Sequence, residues 1–242
     1  MIVDEENFLI ENNIEKIYPD HKNYPKYIRI ARKKLKPIYR TGEYKKFQKG
    51  IAVIGTRDCS DVGKIFAEQV GRELAKSNFI VNSGLANGID TFAHKGCIEN
   101  NGITVAFLAW FHKLYPPENR SLLEKIIETG CVLSENLFMP EKFSKYEFLK
   151  RDELIAAFSD AIIVVESKKS GGAKYTSDYG IKKKIPIIIC DTKTDNDDLK
   201  EGFEAFIKMD SIIANSPSDV IEIIQDLNNK KKSQLKTLDN FS

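Results

Sequence analysis

Short apolar runs recur along the chain, and most lead through a glycine or serine into an amphipathic stretch. Ile51-Ala52-Val53-Ile54 is unbroken by polar residues and stops at Gly55, the pattern of a strand buried on both faces. Beyond it, Ser60 stands where a helix cap belongs and Asp61 suits the first turn. Val62, Phe66, Val70 and Leu74 then recur at helical spacing and predict one apolar helix face. The unit repeats. Phe79-Ile80-Val81 predicts a strand ending at Ser83-Gly84, with a helix over 89–100. Strands are predicted at 103–109, 131–133, 161–165 and 185–190, the last being the final strong one. Helices are predicted near 118–129, 147–158, 175–183 and 217–226.

Ahead of these units the pattern is weaker. Residues 1–25 are polar with scattered aromatics and suggest one weak helix. Residues 28–35 mix basic and apolar positions, and Pro37-Ile38-Tyr39 begins a short extended piece. Strand–helix alternation of this period defines an α/β protein, with a Rossmann-like, doubly wound, mostly parallel sheet and helices on both faces. The expected organisation is an N-terminal extension, 1–48, packed on a core of 49–228, with a Lys-rich, disordered tail, 229–242. A parallel sheet ends all its strands at one edge. Gly55-Thr56-Arg57, Ser83-Gly84, Trp110, Ser134-Glu135 and the segment 167–172 each follow a strand. They must therefore gather on one rim, where open α/β sheets bind ligands.

Composition narrows the function classes. The chain has 242 residues, 42% of them hydrophobic, which is enough to build one substantial domain. No apolar run is long enough for a membrane span, and the acidic start Asp4-Glu5-Glu6 lacks the layout of a signal peptide. A soluble, cytoplasmic protein without membrane contact is expected. Cys59, Cys97, Cys131 and Cys190 lack metal-ligand spacing, and His21, His94 and His112 lie far apart. Neither a metal site nor a disulfide framework is expected, and the cysteines read as small buried thiols. The net charge of +2 is uninformative, but its distribution is not. Residues 26–49 hold ten Lys or Arg against one acid, Glu43, whereas 191–204 hold six acids against two lysines. A basic arm of this kind can contact phosphate, although a charge run by itself reads first as a solvated surface.

The rim residues suit an anionic ligand. Gly55, Thr56 and Arg57 lead into the helix capped by Ser60, where exposed amides attract anions and arginine adds a planar charged fork. Ser83-Gly84-Leu85-Ala86-Asn87-Gly88-Ile89-Asp90 supplies two glycines and a second helix start. Lys168, Lys169, Ser170, Gly171 and Gly172 form a third such loop. Neither a G-x-G-x-x-G fingerprint nor a P-loop is present, which argues against ordinary dinucleotide binding and ATP hydrolysis. No Gly-x-Ser-x-Gly elbow occurs. His94 follows Asp90 by four residues, a spacing that reads as a structural hydrogen bond holding the loop rather than an acid–base couple. Glu135 and Glu166 end strands without a defined mutual spacing. No catalytic residue and no cofactor is expected.

These motifs resemble the DNA-processing protein A (DprA/Smf) family. The 83–90 loop, continued by Ala93-His94 and Gly96, is similar to the family's S-G-x-A-x-G-I-D-x-x-A-H-x-G signature. Residues 51–57 resemble its opening strand and G-[ST]-R loop, and Gly102-Ile103-Thr104-Val105-Ala106 with Tyr115-Pro116 and Asn119 resembles G-x-T-I-A-V…Y-P-x-x-N. Ser134-Glu135, Arg151, Leu154-Ile155-Ala156 and Val164-Val165-Glu166 match further family positions, as do Tyr24-Pro25, Gly42, Gly202, Ser216 and Asp219-Val220. The resemblance implies single-stranded DNA bound on the rim, a homodimer, and a RecA-type recombinase as partner. It also implies that Arg57 holds phosphate, that the loop of Ser83, Gly84, Ala86, Gly88 and Asp90 offers backbone amides, and that Arg151 supports the same groove. Lys169, Ser170, Gly171 and Gly172 join the expected site through the third loop's composition. Phe148 stands at a family phenylalanine position suited to stacking on a base.

The chain departs from the family at the groove. The family's R-N-R reads Arg151-Asp152-Glu153, and Glu153 would repel phosphate if it faced the ligand. Leu149 replaces a proline, Trp110 stands where glycine is usual, and the loop from Ser170 to Ser177 is one residue longer. Two rival readings follow. The rim could hold a small nucleotide and signal to a partner, for example in phage defence, a reading favoured by Glu153. Alternatively, the fold could carry a nucleotide phosphoribohydrolase site at 170–178, although the expected proline, third glycine and catalytic glutamate are missing and Asp178 is the nearest acid.

Overall fold

The computed structural model describes residues 4–43, 50–142 and 144–239. The run 51–54 lies within β3 (Gly50–Ile54), which is buried throughout. It is flanked by β4 (Val81–Ser83) and β7 (Ser159–Val164), and β5 (Thr104–Phe107), β6 (Cys131–Ser134), β8 (Ile187–Cys190) and β9 (Ile212–Ala214) continue the sheet outward. These strands are mutually parallel in the order β6-β5-β4-β3-β7-β8-β9. An antiparallel pair, β1 (Glu15–Ile17) and β2 (Ile38–Gly42), adds to the β6 side, with Tyr39 opposite Ser134 and Gly42 opposite Cys131. The α/β, doubly wound, mostly parallel architecture is thus the observed one.

Alternation along the buried strands feeds two cores. Ile51 and Val53 of β3 pack with Phe66, Val70 and Leu74 of α3 (Asp61–Lys76), Ala93 of α4 (Ile89–Ile98) and Val220 and Ile224 of α9 (Pro217–Asp239). Ala52 and Ile54 face the other way, toward Tyr27 and Ile28 of α2 (Lys26–Ala31), Leu154 and Ile155 of α6 (Tyr146–Ala157) and Ala173 of α7 (Gly172–Lys182). Leu122 and Ile126 of α5 (Arg120–Thr129) cover Ala106 and Val132. No described helix is long and apolar enough to cross a membrane.

Several expectations need correction. The first 25 residues hold a short helix, α1 (Glu5–Glu11), and also strand β1, whose three residues are too few for a visible alternation. Val62 is exposed, because α3 rolls its Gly63, Phe66 and Ala67 side onto the sheet. Helix α8 (Asp197–Ile207) lies inside the acidic run. Asn196 caps it by accepting from Leu199 N–H, Asp197 and Asp198 sit favourably in its first turn, and Leu199 and Phe206 are buried. The acids there are helix-start chemistry. Strand β9 follows, paired with β8 beyond the strand read as the last. Helix α9 runs on to Asp239 through the segment expected to be disordered, since 228–239 contains no Gly or Pro and is rich in the helix formers Lys, Gln and Leu. Residues 240–242 lie outside the described residues, as do Lys45, Lys46 and Lys49 of the basic arm. Cys97, Cys131 and Cys190 are buried, but Cys59, just ahead of α3, is only partly so.

Candidate functional site

The strand order reverses between β3 and β7, so the loops that leave these two strands diverge and open a crevice at the C-terminal edge of the sheet. A cleft of about 540 Å³ lies there. Of the residues singled out from sequence, Gly55, Thr56, Arg57, Ala86, Asp90, Phe148, Arg151, Gly171 and Gly172 line it. Ser83, Gly84, Gly88, Lys169 and Ser170 do not. Ser83 is buried beneath the rim and donates its hydroxyl to Val53 O at 2.6 Å. Lys169 and Ser170 are exposed at the loop tip.

The 83–90 loop is held together from inside. The Asp90 carboxylate accepts from Gly84 N–H at 3.1 Å and Ala86 N–H at 3.3 Å. Those two amides are therefore not on offer to a phosphate, which corrects the role expected of them. Burial pushes the Asp90 carboxyl up, against the pull of Arg151 and the two amides. Arg151 is itself buried, its Nη1 donating to Gly84 O at 2.5 Å and Phe107 O at 3.2 Å. It pins the loop to the end of β5. A Cβ on Gly84 would run into the Arg151 guanidinium, and Gly88, at φ 77°, would set a Cβ against the Thr56 and Arg57 carbonyls. Both signature glycines make room for the protein's own groups. His94 does not pair with Asp90. Its Nδ1 sits 2.6 Å from Thr104 Oγ1, and burial, reinforced by Arg151, lowers its pKa to about 3, so it is neutral near pH 7. Asn119 completes the loop by donating to Leu85 O at 3.0 Å and Thr91 Oγ1 at 2.8 Å.

Glu166 plays the matching part at α3. It accepts from Ser60 N–H at 2.9 Å, Ser60 Oγ at 2.6 Å and Thr192 Oγ1 at 2.9 Å, while Ser60 Oγ accepts from Gly63 N–H at 3.0 Å. The start of α7 differs. Gly171 gives no side-chain cap and the first turn carries no acid. At the mouth of the cleft, exposed Arg57 stands 5.8 Å from the Tyr115 ring centre and 5.6 Å from that of Phe148. Phe148 is half-buried, edge-on to Trp110 at 5.2 Å and to Tyr115 at 6.0 Å. Trp110 thus backs the aromatic shelf from below. Lys145 and Lys168 line the same cleft, Lys168 bridging Asp58 at 3.3 Å and Asp198 at 3.5 Å. Lys145 and Tyr115 were missed as site residues. Tyr115 lies in the segment beyond β5, and its place in the Y-P-x-x-N motif was the available signal.

Among the described residues, none of the basic arm lines the cleft. Arg32 is clasped by Glu135 and Glu153, each at 2.6 Å, and Arg40 pairs with Glu15. Glu153 also takes bonds from Lys150 at 3.1 Å and from the Tyr175 hydroxyl at 2.7 Å, and its carboxyl is held below its ordinary range by these partners despite the opposing cost of burial. Glu153 is therefore spent on Arg32 and does not oppose a ligand in the groove. Asp178 is held by Lys174 at 2.7 Å. Glu135, Glu166 and Asp178 thus all have protein partners.

Such a switch-point cleft, with cations and aromatic faces at its mouth, is the candidate ligand site of an open α/β fold. The chain belongs to the DNA recombination-mediator protein A family, whose model matches residues 15–225. It is 33% identical to Protein Smf of Synechocystis sp. over 175 residues, covering 70% of this chain and 44% of that one. DNA processing protein A of Streptococcus pneumoniae superposes with a TM-score of 0.76 at 25% identity, over 90% of this chain and 78% of that chain. DNA processing protein A of Helicobacter pylori, solved for its single-stranded DNA binding mode, gives 0.76 at 24% identity, over 88% and 96%, and shares the fold. The chain spans about half the length of the curated relatives it matches.

Proposed function

We propose that the chain binds single-stranded DNA along this rim without catalysing a reaction, serving DNA processing, uptake or recombination. The observation that carries the reading is the mouth of the cleft, where an exposed arginine stands over two aromatic rings. Such a pair offers a cation to a phosphate and a face to a base, and base stacking of this kind contributes about 1–3 kcal/mol. The H. pylori relative, described as a single-stranded DNA binder, supports it. Family membership supports a cytoplasmic homodimer that works with a RecA-type recombinase. The small-nucleotide reading loses its main motive, because Glu153 is neutralised by Arg32.

The test is binding of a fluorescent oligo-dT of about 20 nucleotides at low and moderate salt. Affinity should fall steeply as salt rises, because bound phosphates release counterions. Arg57→Ala should weaken every sequence alike and reduce the salt slope by about one. An absence of binding at low salt overturns the proposal.

A further inference from the structure

Asp152 lines this cleft and has one oxygen, Oδ2, that takes no hydrogen bond among the described residues. Its side chain is 14% exposed, and Oδ1 lies 2.9 Å from Arg151 Nε. Among the described residues that ion pair is its polar contact. Oδ2 faces the start of α7, where a Cβ on Gly172 would stand 3.9 Å away. The Phe148 and Tyr115 rings line the same cleft, and Leu149, Ile155 and Ala173 supply apolar walls. A largely shielded carboxylate is costly without hydrogen-bond donors, and among the described residues Asp152 has the Arg151 ion pair alone.

A flat ligand entering between these walls would set its edge against an acceptor-only group. Single-stranded bases are read in this way, by stacking on aromatic side chains and hydrogen bonds along the Watson–Crick edge. Of the four DNA bases, only guanine places two N–H donors side by side on that edge, at N1 and N2, to match the two oxygens of a carboxylate. Thymine has one donor between two carbonyls. Adenine and cytosine each set one amino group beside an acceptor. Each carboxylate oxygen has lone pairs to spare, so Oδ1 can keep Arg151 and still accept.

We propose that this cleft is a guanine pocket and that Asp152 is its specificity-determining residue. The proposal rests on the reading of the rim as a nucleic-acid site, and it gives that site a base preference.

The experiment compares oligo-dT, the same strand with one central deoxyguanosine, the same strand with deoxyinosine there, and free guanosine monophosphate. Each is titrated against wild type and Asp152→Asn. Wild type should bind the guanine strand about tenfold tighter than oligo-dT, the scale of a good bidentate base contact. Inosine, which lacks the N2 amino group, should fall between. Asp152→Asn should erase the preference and strengthen oligo-dT binding, because a negative charge leaves the groove. The unmodified protein and its strand series test the preference without relying on the variant. Tight oligo-dT binding with no gain from guanine, or a gain that survives Asp152→Asn, overturns the guanine pocket and leaves the DNA reading standing. Asp152-dependent binding of guanosine monophosphate with no oligonucleotide binding sustains the pocket and overturns the DNA reading. Binding of none of the four probes overturns both.

Discussion

At the start of α3 the Glu166 carboxylate takes the Ser60 amide and hydroxyl, and at the start of α4 the Asp90 carboxylate takes the Gly84 and Ala86 amides. At the start of α7 no side chain caps the helix, and the nearby Asp152 carboxylate takes none of its amides. A helix start carries partial positive charge and orphan N–H groups, and an internal carboxylate answers both. Once answered, that helix start has little left for a ligand anion. Three loops of the same composition thus divide into two that build the rim and one that remains open to it. The glycines divide in the same way. Gly84 and Gly88 are hemmed in by Arg151 and by backbone carbonyls, whereas Gly172 faces open space up to the Asp152 carboxylate.

The strongest way to break this comparison is to remove the acid that fills α4. Asp90→Ala orphans two amides and leaves buried Arg151 without one of its two neighbouring acids. At about 1–3 kcal/mol per orphaned group, a loss of roughly 2–6 kcal/mol is expected in denaturant unfolding. A loss below about 1 kcal/mol would mean the carboxylate is dispensable there and the loop stands by other means. Gly84→Ala comes next. Its methyl must displace the Arg151 guanidinium from the Gly84 and Phe107 carbonyls, and overpacking of this kind costs about 1–3 kcal/mol. A lowered unfolding midpoint checks it, and an unchanged midpoint would show that Arg151 has room to move.

The rim itself was legible because strand period dictates it: any chain with a buried run at 51–54 and its repeats must carry Arg57 and the 167–172 loop to one edge. Which acid fills which helix start was not legible. Glu166 meets Ser60 across a separation of 106 residues, and Arg32 meets Glu153 across 121. Nothing local in a sequence reports such pairs. Glu153 shows the consequence. Read alone it is a negative charge in a phosphate groove, and read with Arg32 it fastens α2 to α6. Helix α8 was hidden for a related reason, since its capping Asn196 and first-turn acids look like a solvated acidic run until Leu199 and Phe206 are seen to be buried.

Asp152 sharpens the comparison by a smaller margin. Burial pushes its carboxyl up to about 6, with Asp90 and Glu153 adding to the rise and Arg151 and Arg57 opposing it. The folded state therefore holds a proton that the unfolded state has already lost between about pH 4 and pH 6. Stability contributed by this group is present at the acidic end of that window and falls as pH rises through it, then stays level above. Asp90 acts in the same direction, so the informative quantity is wild type minus Asp152→Asn. That difference should decline across the window, by no more than about 3 kcal/mol. A flat difference would mean that solvent reaches the carboxylate freely.

The smallest expected effect on stability belongs to Gly172→Ala, the same substitution as at Gly84 made at the open helix start. The nearest atom to the new methyl is the Asp152 oxygen at 3.9 Å, ordinary contact distance. Residue 172 is also the first of α7, where alanine is the better helix former. The unfolding free energy should change by no more than about 0.5 kcal/mol in either direction. Oligo-dT binding should nevertheless weaken several-fold, because the methyl stands where a phosphate would approach the α7 amides. Stability and binding would then separate at Gly172, while at Gly84 both fall together. A cost above about 1 kcal/mol at Gly172 would mean that the α7 start is as tightly built as the other two, and that the rim has no open helix start to give a ligand.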